Sequence, residues 1–167
     1  MMRFPAVLIS GLSGLLLFSG CSGNPGFEAP QVVYGTQTCR GDNREITLIL
    51  LRDEKSWEAF FSGKLTASVL PRPAVPKVDF GTKAVLVVDG GIRPSAGYAL
   101  RLDSTAASIA GRTLRLTVEV QMPDPKMRRA QMVTHPCLAF AVPAQGYDRI
   151  AVFDGDQKAL AALAVGR

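Results

Sequence analysis

The chain has 167 residues, 47% of them hydrophobic, which is enough for one domain with a buried core. Its formal net charge of +5 comes from scattered basic residues, so the sequence does not indicate a nucleic-acid-binding stripe. The one local basic cluster, Lys126–Arg129, is interpreted as a solvated loop. No Walker loop, Gly-x-Ser-x-Gly elbow or His-Glu-x-x-His motif occurs. We therefore expect a protein that is not an enzyme and that uses no cofactor, metal or small-molecule substrate.

Residues 1–20 have the features of a leader peptide that is removed from the mature protein. Arg3 supplies a positive start, and Ala6–Phe18 is apolar and uncharged. This run is too short for a membrane span, which needs about twenty residues. The end of the leader, Leu17–Cys21, resembles the lipobox of bacterial lipoproteins, in which the cysteine is lipidated and becomes the mature N-terminus.

Lipidation of Cys21 would hold the protein in the cell envelope, and we expect an outer-membrane anchor facing the periplasm. Residues 21–30 are rich in Ser, Gly, Asn and Pro and have no periodicity, so they predict a flexible tether. The alternative is an ordinary secreted protein in which Cys21 is a disulfide partner.

Short apolar or alternating runs separated by turn residues predict a series of strands in the mature chain. These runs are Gln31–Cys39, Glu45–Leu51, Val85–Val88, Tyr98–Leu102, Thr113–Gln121, Val133–Val142 and Ile150–Phe153. Because Glu45–Leu51 is apolar on both faces, it is expected to lie centrally in its sheet. Pro136 interrupts Val133–Val142, which indicates an edge strand or a strand with a bulge.

The hydrophobic residues that follow Asp53 recur with the period of a helix instead of a strand. Asp53 is a suitable N-cap, Trp57, Phe60 and Phe61 recur on one helical face, and Gly63 is a natural stop. The aromatic stripe is interpreted as core packing rather than a cofactor site. The three prolines of Leu65–Lys77 predict a surface connection.

These elements predict a mainly β fold for residues 31–155. The expected architecture is an antiparallel β-sandwich or a partly open barrel with one short helix packed on it. Residues 156–167 are predicted to be a C-terminal tail with a second helix, because Asp156–Val165 is rich in alanine and leucine.

Cys39 and Cys137 form an even pair in an exported chain, which favours a disulfide. Two alternatives remain open: two free thiols, or a metal site that uses His135. Two cysteines and one histidine leave that set one ligand short of a structural zinc site. A nucleophilic pair of Cys137 and His135 lacks an evident third group that would orient the imidazole.

The stretch after Val85–Val88 is the strongest candidate for a binding site. Gly90 and Gly91 allow the chain to reverse, and Asp89 is interpreted as a turn former, as are Asp103 and Asp124. The candidate contact loop consists of Arg93, Pro94, Ser95, Ala96, Gly97 and Tyr98. Arg93 offers a planar donor fork and Tyr98 an amphipathic ring, and both residue types are enriched at interface hot spots. The alternative is a plain hairpin connection with Tyr98 in the core.

Four motifs together resemble the PrcB-type protease-complex-subunit domain over roughly Val32–Phe153. They are Trp57 in its helix, Val78–Phe80, Gly91–Tyr98 and Thr134–Pro136. The resemblance implies an exported, lipid-anchored, non-enzymatic protein that binds or stabilises an envelope protein such as a protease complex. Two alternatives remain: a direct protease inhibitor, since the loop is similar to a binding loop of chagasin-type inhibitors, and a purely structural envelope lipoprotein.

Overall fold

The computed structural model describes residues 27–67, 69–126 and 130–166, and these form a two-sheet sandwich, as expected. The eight strands are β1 (Gln31–Thr36), β2 (Thr47–Leu51), β3 (Lys83–Asp89), β4 (Ala99–Ala110), β5 (Thr113–Gln121), β6 (Cys137–Pro143), β7 (Arg149–Phe153) and β8 (Ala159–Ala164). One sheet has the order β1-β6-β3-β2 and the other β4-β5-β7-β8. Neighbouring strands are antiparallel except β5 and β7, which are parallel. The mainly antiparallel sandwich expected from the sequence is therefore confirmed, with this one parallel pair.

The main core lies between the two sheets. Strand side chains alternate between faces, so every second residue of the central strands points into this layer. Its most deeply buried members are Leu86, Val88, Leu114, Leu116, Val118, Phe140, Ile150 and Val152.

A second core covers the outer face of the first sheet. Helix α1 (Glu54–Phe60) and the π-helical turn that follows it (Phe61–Leu65) pack against the outward side chains of β3. Trp57 is only 1% exposed, and its indole Nε1 donates a hydrogen bond to the Pro76 carbonyl at 2.9 Å. The main core and the second core together bury both faces of β3.

The helix begins where the sequence predicts and ends later. Asp53 accepts hydrogen bonds from the Ser56 amide and hydroxyl, each at 2.8 Å, and these bonds lower the pKa of its carboxyl. The predicted stop at Gly63 was wrong, because the chain continues through the π-helical turn and buries Leu65 completely. Both the amide and the hydroxyl of Thr66 then donate to the Phe61 carbonyl.

The positions of β2 and β6 in their sheet are the reverse of those predicted. β2 lies at an edge, although its sequence predicts a central position. Its two faces are covered instead by different layers, Leu48 and Leu50 by the sandwich core and Ile49 by the helix core. β6 is central, between β1 and β3, because Pro136 precedes the strand and its missing amide does not interrupt the ladder.

The predicted C-terminal helix was wrong. Residues 159–164 form β8, which is antiparallel to β7. Asp154 accepts hydrogen bonds from the amides of Asp156 and Lys158, at 3.0 and 2.8 Å, and Gln157 has a φ of +62°. This tight turn brings the alanine-rich run against β7, and the strand partner overrides its local preference for a helix.

The leader, the tether up to residue 26 and the proposed lipidation site at Cys21 lie outside the described residues. Within those residues, no helix has the length and apolar character needed to cross a membrane.

Because Trp57 fills the second core, we expect Trp57→Ala to lower the free energy of unfolding by about 3–5 kcal/mol. Urea denaturation followed by circular dichroism measures this loss. Val32→Ala is the control, since Val32 is 55% exposed and its truncation should change stability by less than about 0.5 kcal/mol. Equal effects of the two substitutions would show that Trp57 is not a core residue.

Candidate functional site

The segments that the sequence singles out meet at one end of the sandwich, here called the loop end. β3 finishes there with Asp89, β6 begins there with Cys137, and these two residues are paired across the sheet. β4 begins at the same end with Ala99. Residues far apart in sequence are therefore assembled by strand pairing.

The candidate contact loop, Arg93–Tyr98, connects β3 in one sheet to β4 in the other. The hairpin alternative was therefore wrong, since a hairpin joins neighbouring strands of one sheet. Gly91, with a φ of +71°, makes the departure from β3, and its amide donates to Asp89 Oδ1 at 2.9 Å. The predicted chain reversal at the glycines is in fact a crossover between the two layers.

Backbone hydrogen bonds fix this loop against the segment that precedes β6. Arg93 and Thr134 exchange two bonds, with N···O distances of 2.8 and 3.0 Å. The Thr134 hydroxyl donates to the Ser95 carbonyl at 3.0 Å, and the Ala96 amide donates to the Ala130 carbonyl at 3.4 Å. The loop is thus a supported part of the domain and not a free connection.

The side chains of the predicted loop differ in what they present to solvent. Pro94 is exposed, whereas Ser95, Ala96, Gly97 and Tyr98 are half-buried. The guanidinium carbon of Arg93 lies 5.8 Å from the centre of the Tyr98 ring, which is a cation–π distance. Arg93 Nε is buried and has no hydrogen-bond partner among the described residues. These two side chains therefore contact each other as well as bordering the surface.

Sequence reasoning missed three exposed apolar residues among those that the structure describes at the loop end. Met132 is 55% and Val133 67% exposed, directly before the Thr134 that pairs with Arg93. Met122 is 77% exposed and follows β5 at the same end. We call Pro94, Met122, Met132 and Val133 the loop-end surface. Val133 was predicted to begin an edge or bulged strand, but β6 begins only at Cys137 and Val133 lies in solvent.

Beneath this surface, Cys39 and Cys137 form a disulfide with their Cα atoms 5.8 Å apart. The expected pairing is therefore present, and neither sulfur is a free thiol in this structure. The bond ties the segment after β1 to the first residue of β6. Backbone bonds run alongside it, from Cys39 N to the His135 carbonyl at 2.9 Å and from His135 N to the Gln37 carbonyl at 2.8 Å.

His135 and Asp89 form a buried pair that the sequence analysis did not predict. His135 Nε2 lies 2.5 Å from Asp89 Oδ1, and each residue is 5% exposed. Asp89 does form a turn, as interpreted, but its carboxylate also provides an orienting group for His135 that was not evident in the sequence. The two residues are 46 positions apart, and no local pattern marks such a contact.

Residues 84–143 match the PrcB C-terminal family. The matched PrcB segment contains β3, the contact loop, β4, β5 and β6, and hence Asp89, His135 and Cys137. The resemblance predicted from the motifs is confirmed for this segment, while Trp57 and Val78–Phe80 precede it. No curated protein and no solved structure matches the chain.

Gly91 is expected to be intolerant of a side chain. A Cβ there would lie 2.6 Å from the Arg44 carbonyl oxygen, and the positive φ adds strain, so Gly91→Ala should lower the unfolding free energy by about 1 kcal/mol or more. The matched control is Gly63→Ala, since a Cβ at Gly63 meets no atom within 4 Å. Urea denaturation of both variants tests this, and equal stabilities would contradict the required backbone geometry.

The disulfide closes a loop across a sequence separation of 98 residues. Because it restricts the unfolded chain, Cys39→Ser with Cys137→Ser should lower the unfolding free energy by about 4–5 kcal/mol in the loop-entropy model. Urea denaturation measures the loss, and thiol titration of the denatured, unreduced protein counts free cysteines. Two reactive thiols at Cys39 and Cys137 in exported protein would contradict the pairing.

Proposed function

We propose that this protein is a lipid-anchored envelope protein without enzymatic activity, and that it binds and stabilises a partner protein through the loop-end surface. The observation that carries the proposal is a group of exposed apolar side chains at the loop end, beside a loop that backbone hydrogen bonds hold in place. The match to the PrcB C-terminal family supports it, because that family takes its name from a protease-complex subunit.

The chemistry of the loop-end surface suits protein contact. Met122, Met132 and Val133 are each more than half exposed, which is costly in water and favours burial against another protein. Methionine side chains adapt to irregular partner surfaces. Arg93 and Tyr98 border the surface and are residue types that often contribute strongly to binding.

The fixed backbone of the loop favours binding further. Association costs conformational entropy when flexible segments become ordered. Thr134 bonds to both Arg93 and Ser95, so much of this ordering is already present in the free protein. The loop-end surface can therefore bind a partner with little rearrangement of its own backbone.

The path of the chain supports display of this surface away from a membrane anchor. Glu28 pairs with Lys83 at 2.6 Å, and Gln31 pairs with Ala141, so the chain enters at the end opposite the loop end. The seven residues of β3 separate the two ends by about 20 Å. A lipid on Cys21 would hold the entry end towards the membrane and leave the loop end available to an envelope partner.

The partner that we propose is a protease or another subunit of its complex. A photo-crosslinking amino acid in place of Val133, in the envelope of the native cell, should capture one discrete protein that mass spectrometry identifies. The same amino acid in place of Val32 is the matched control, because Val32 is similarly exposed but lies on β1 near the entry end. Equal crosslinking at both positions would contradict a specific surface.

With the captured partner in hand, Val133→Asp should reduce its recovery at least about tenfold, because binding would bury an unpaired carboxylate. Val32→Asp should leave recovery unchanged, and circular dichroism confirms that both variants are folded. Unchanged recovery by folded Val133→Asp and by Arg93→Ala with Tyr98→Ala would contradict the proposed surface. Inhibition of cysteine or serine proteases by the isolated domain would instead indicate a direct inhibitor.

A further inference from the structure

The disulfide and the buried histidine–aspartate pair form one cluster. One sulfur each from Cys39 and Cys137 and a carboxylate oxygen of Asp89 all lie within 4.8 Å of one another. His135 adds its imidazole, with Nε2 at 2.5 Å from the same carboxylate. All four residues are buried, and they come from three separate segments of the chain.

The donor set of this cluster suits zinc. Thiolate sulfur, carboxylate oxygen and imidazole nitrogen are the ligands that Zn²⁺ takes in proteins. A tetrahedral site with zinc–sulfur bonds of about 2.3 Å places neighbouring donor atoms roughly 3.5–4 Å apart. The three donors already lie within 4.8 Å of one another, so we expect side-chain rotations to bring them to this spacing once the sulfurs separate. The structure adds Asp89 to the two cysteines as a third donor, which the sequence did not indicate.

We propose that reduction of the Cys39–Cys137 disulfide converts the cluster into a Zn²⁺ site. Cys39, Cys137 and Asp89 are the protein ligands, and one position remains for water. His135 is a positioning residue that holds the ligating carboxylate by a hydrogen bond. The disulfide form and the zinc form exclude each other, because zinc requires the two sulfurs as thiolates.

The conversion balances with a dithiol as the reductant. The dithiol gives two electrons and two protons, so the S–S bond breaks, two cysteine thiols form, and the dithiol becomes a disulfide. Zn²⁺ then displaces the two thiol protons to solvent as the zinc–sulfur bonds form.

Hydrogen bonds that do not depend on the disulfide keep the ligands in place after reduction. The Gly91 amide holds Asp89 Oδ1, and backbone bonds join His135 to Gln37 and Cys39. Gly41 closes the cluster beside the imidazole, where a Cβ would lie 2.7 Å from His135 Cε1. The site is therefore largely formed before the metal arrives.

Cobalt(II) is the probe for this site, because its spectrum reports both thiolate ligands and tetrahedral geometry. The purified protein, reduced without oxygen and titrated with Co²⁺, should bind one equivalent with thiolate-to-cobalt charge-transfer bands and intense visible bands. Zn²⁺ should abolish these bands and raise the melting temperature of the reduced protein relative to a chelator control. The oxidised protein should show neither the cobalt bands nor the zinc-dependent rise in melting temperature.

Four variants test the ligand assignment and a fifth is the control, with circular dichroism as the check that each remains β-rich. Cys39→Ser, which leaves Cys137 as the one thiolate ligand, should weaken Co²⁺ binding and reduce the charge-transfer intensity per bound Co²⁺. Asp89→Asn should weaken Co²⁺ binding more than about tenfold. Asp103→Asn should not, because Asp103 lies within β4 of the other sheet, in a strand and not in the turn predicted from sequence. His135→Ala should weaken binding about 10–100-fold, and His135→Gln should restore part of the affinity by renewing the hydrogen bond.

Several results would overturn the proposal. One is a weak cobalt spectrum typical of octahedral coordination. Another is a Co²⁺ affinity of Asp89→Asn that is unchanged or that falls no further than the affinity of Asp103→Asn. The last is Co²⁺ binding only by protein that has lost the β signal in circular dichroism. Because this test measures metal and the crosslinking test measures a partner, the two proposals can fail separately.

Discussion

The fold depends on the burial of β3 on both of its faces. Its side chains alternate between the sandwich core and the helix core, so one strand belongs to two hydrophobic layers. Leu86 and Val88 face the second sheet, while Val85 and Val87 face Trp57 and its neighbours. A shift of β3 by one residue would exchange these two sets and place each against the wrong layer. This constraint fixes where β3 ends, and hence the position of Asp89 and of the loop beyond it.

Most of the strands and the helix could be predicted from sequence, because each carries a clear local period. The alternation of Thr113–Gln121 corresponds to β5, with the same bounds, and the helical spacing from Trp57 to Phe61 marks the face that packs on the sheet. The failures occur where a distant partner decides the outcome. Ala159–Ala164 has a helical composition but pairs with β7, and β2 is apolar on both faces although it lies at an edge.

The candidate site was only partly predictable for the same reason. Arg93–Tyr98 and the cysteine pair are visible as motifs, since turn residues and cysteines are informative by type. The contact of Asp89 with His135 arises only when β3 and β6 pair, which brings together two residues 46 positions apart. The exposure of Met132 and Val133 depends on where β6 begins, and strand boundaries are poorly specified by local sequence.

The position of the disulfide also has a mechanical consequence. β1 runs antiparallel to β6 from the entry end to the loop end, and the covalent bond to Cys137 follows it at Cys39. Tension on the N-terminus would shear the β1–β6 hydrogen bonds together rather than open them one by one. If those bonds gave way, the crosslink would stop extraction of the chain at Cys39. In its oxidised form the domain is therefore built to withstand pulling through its N-terminal segment.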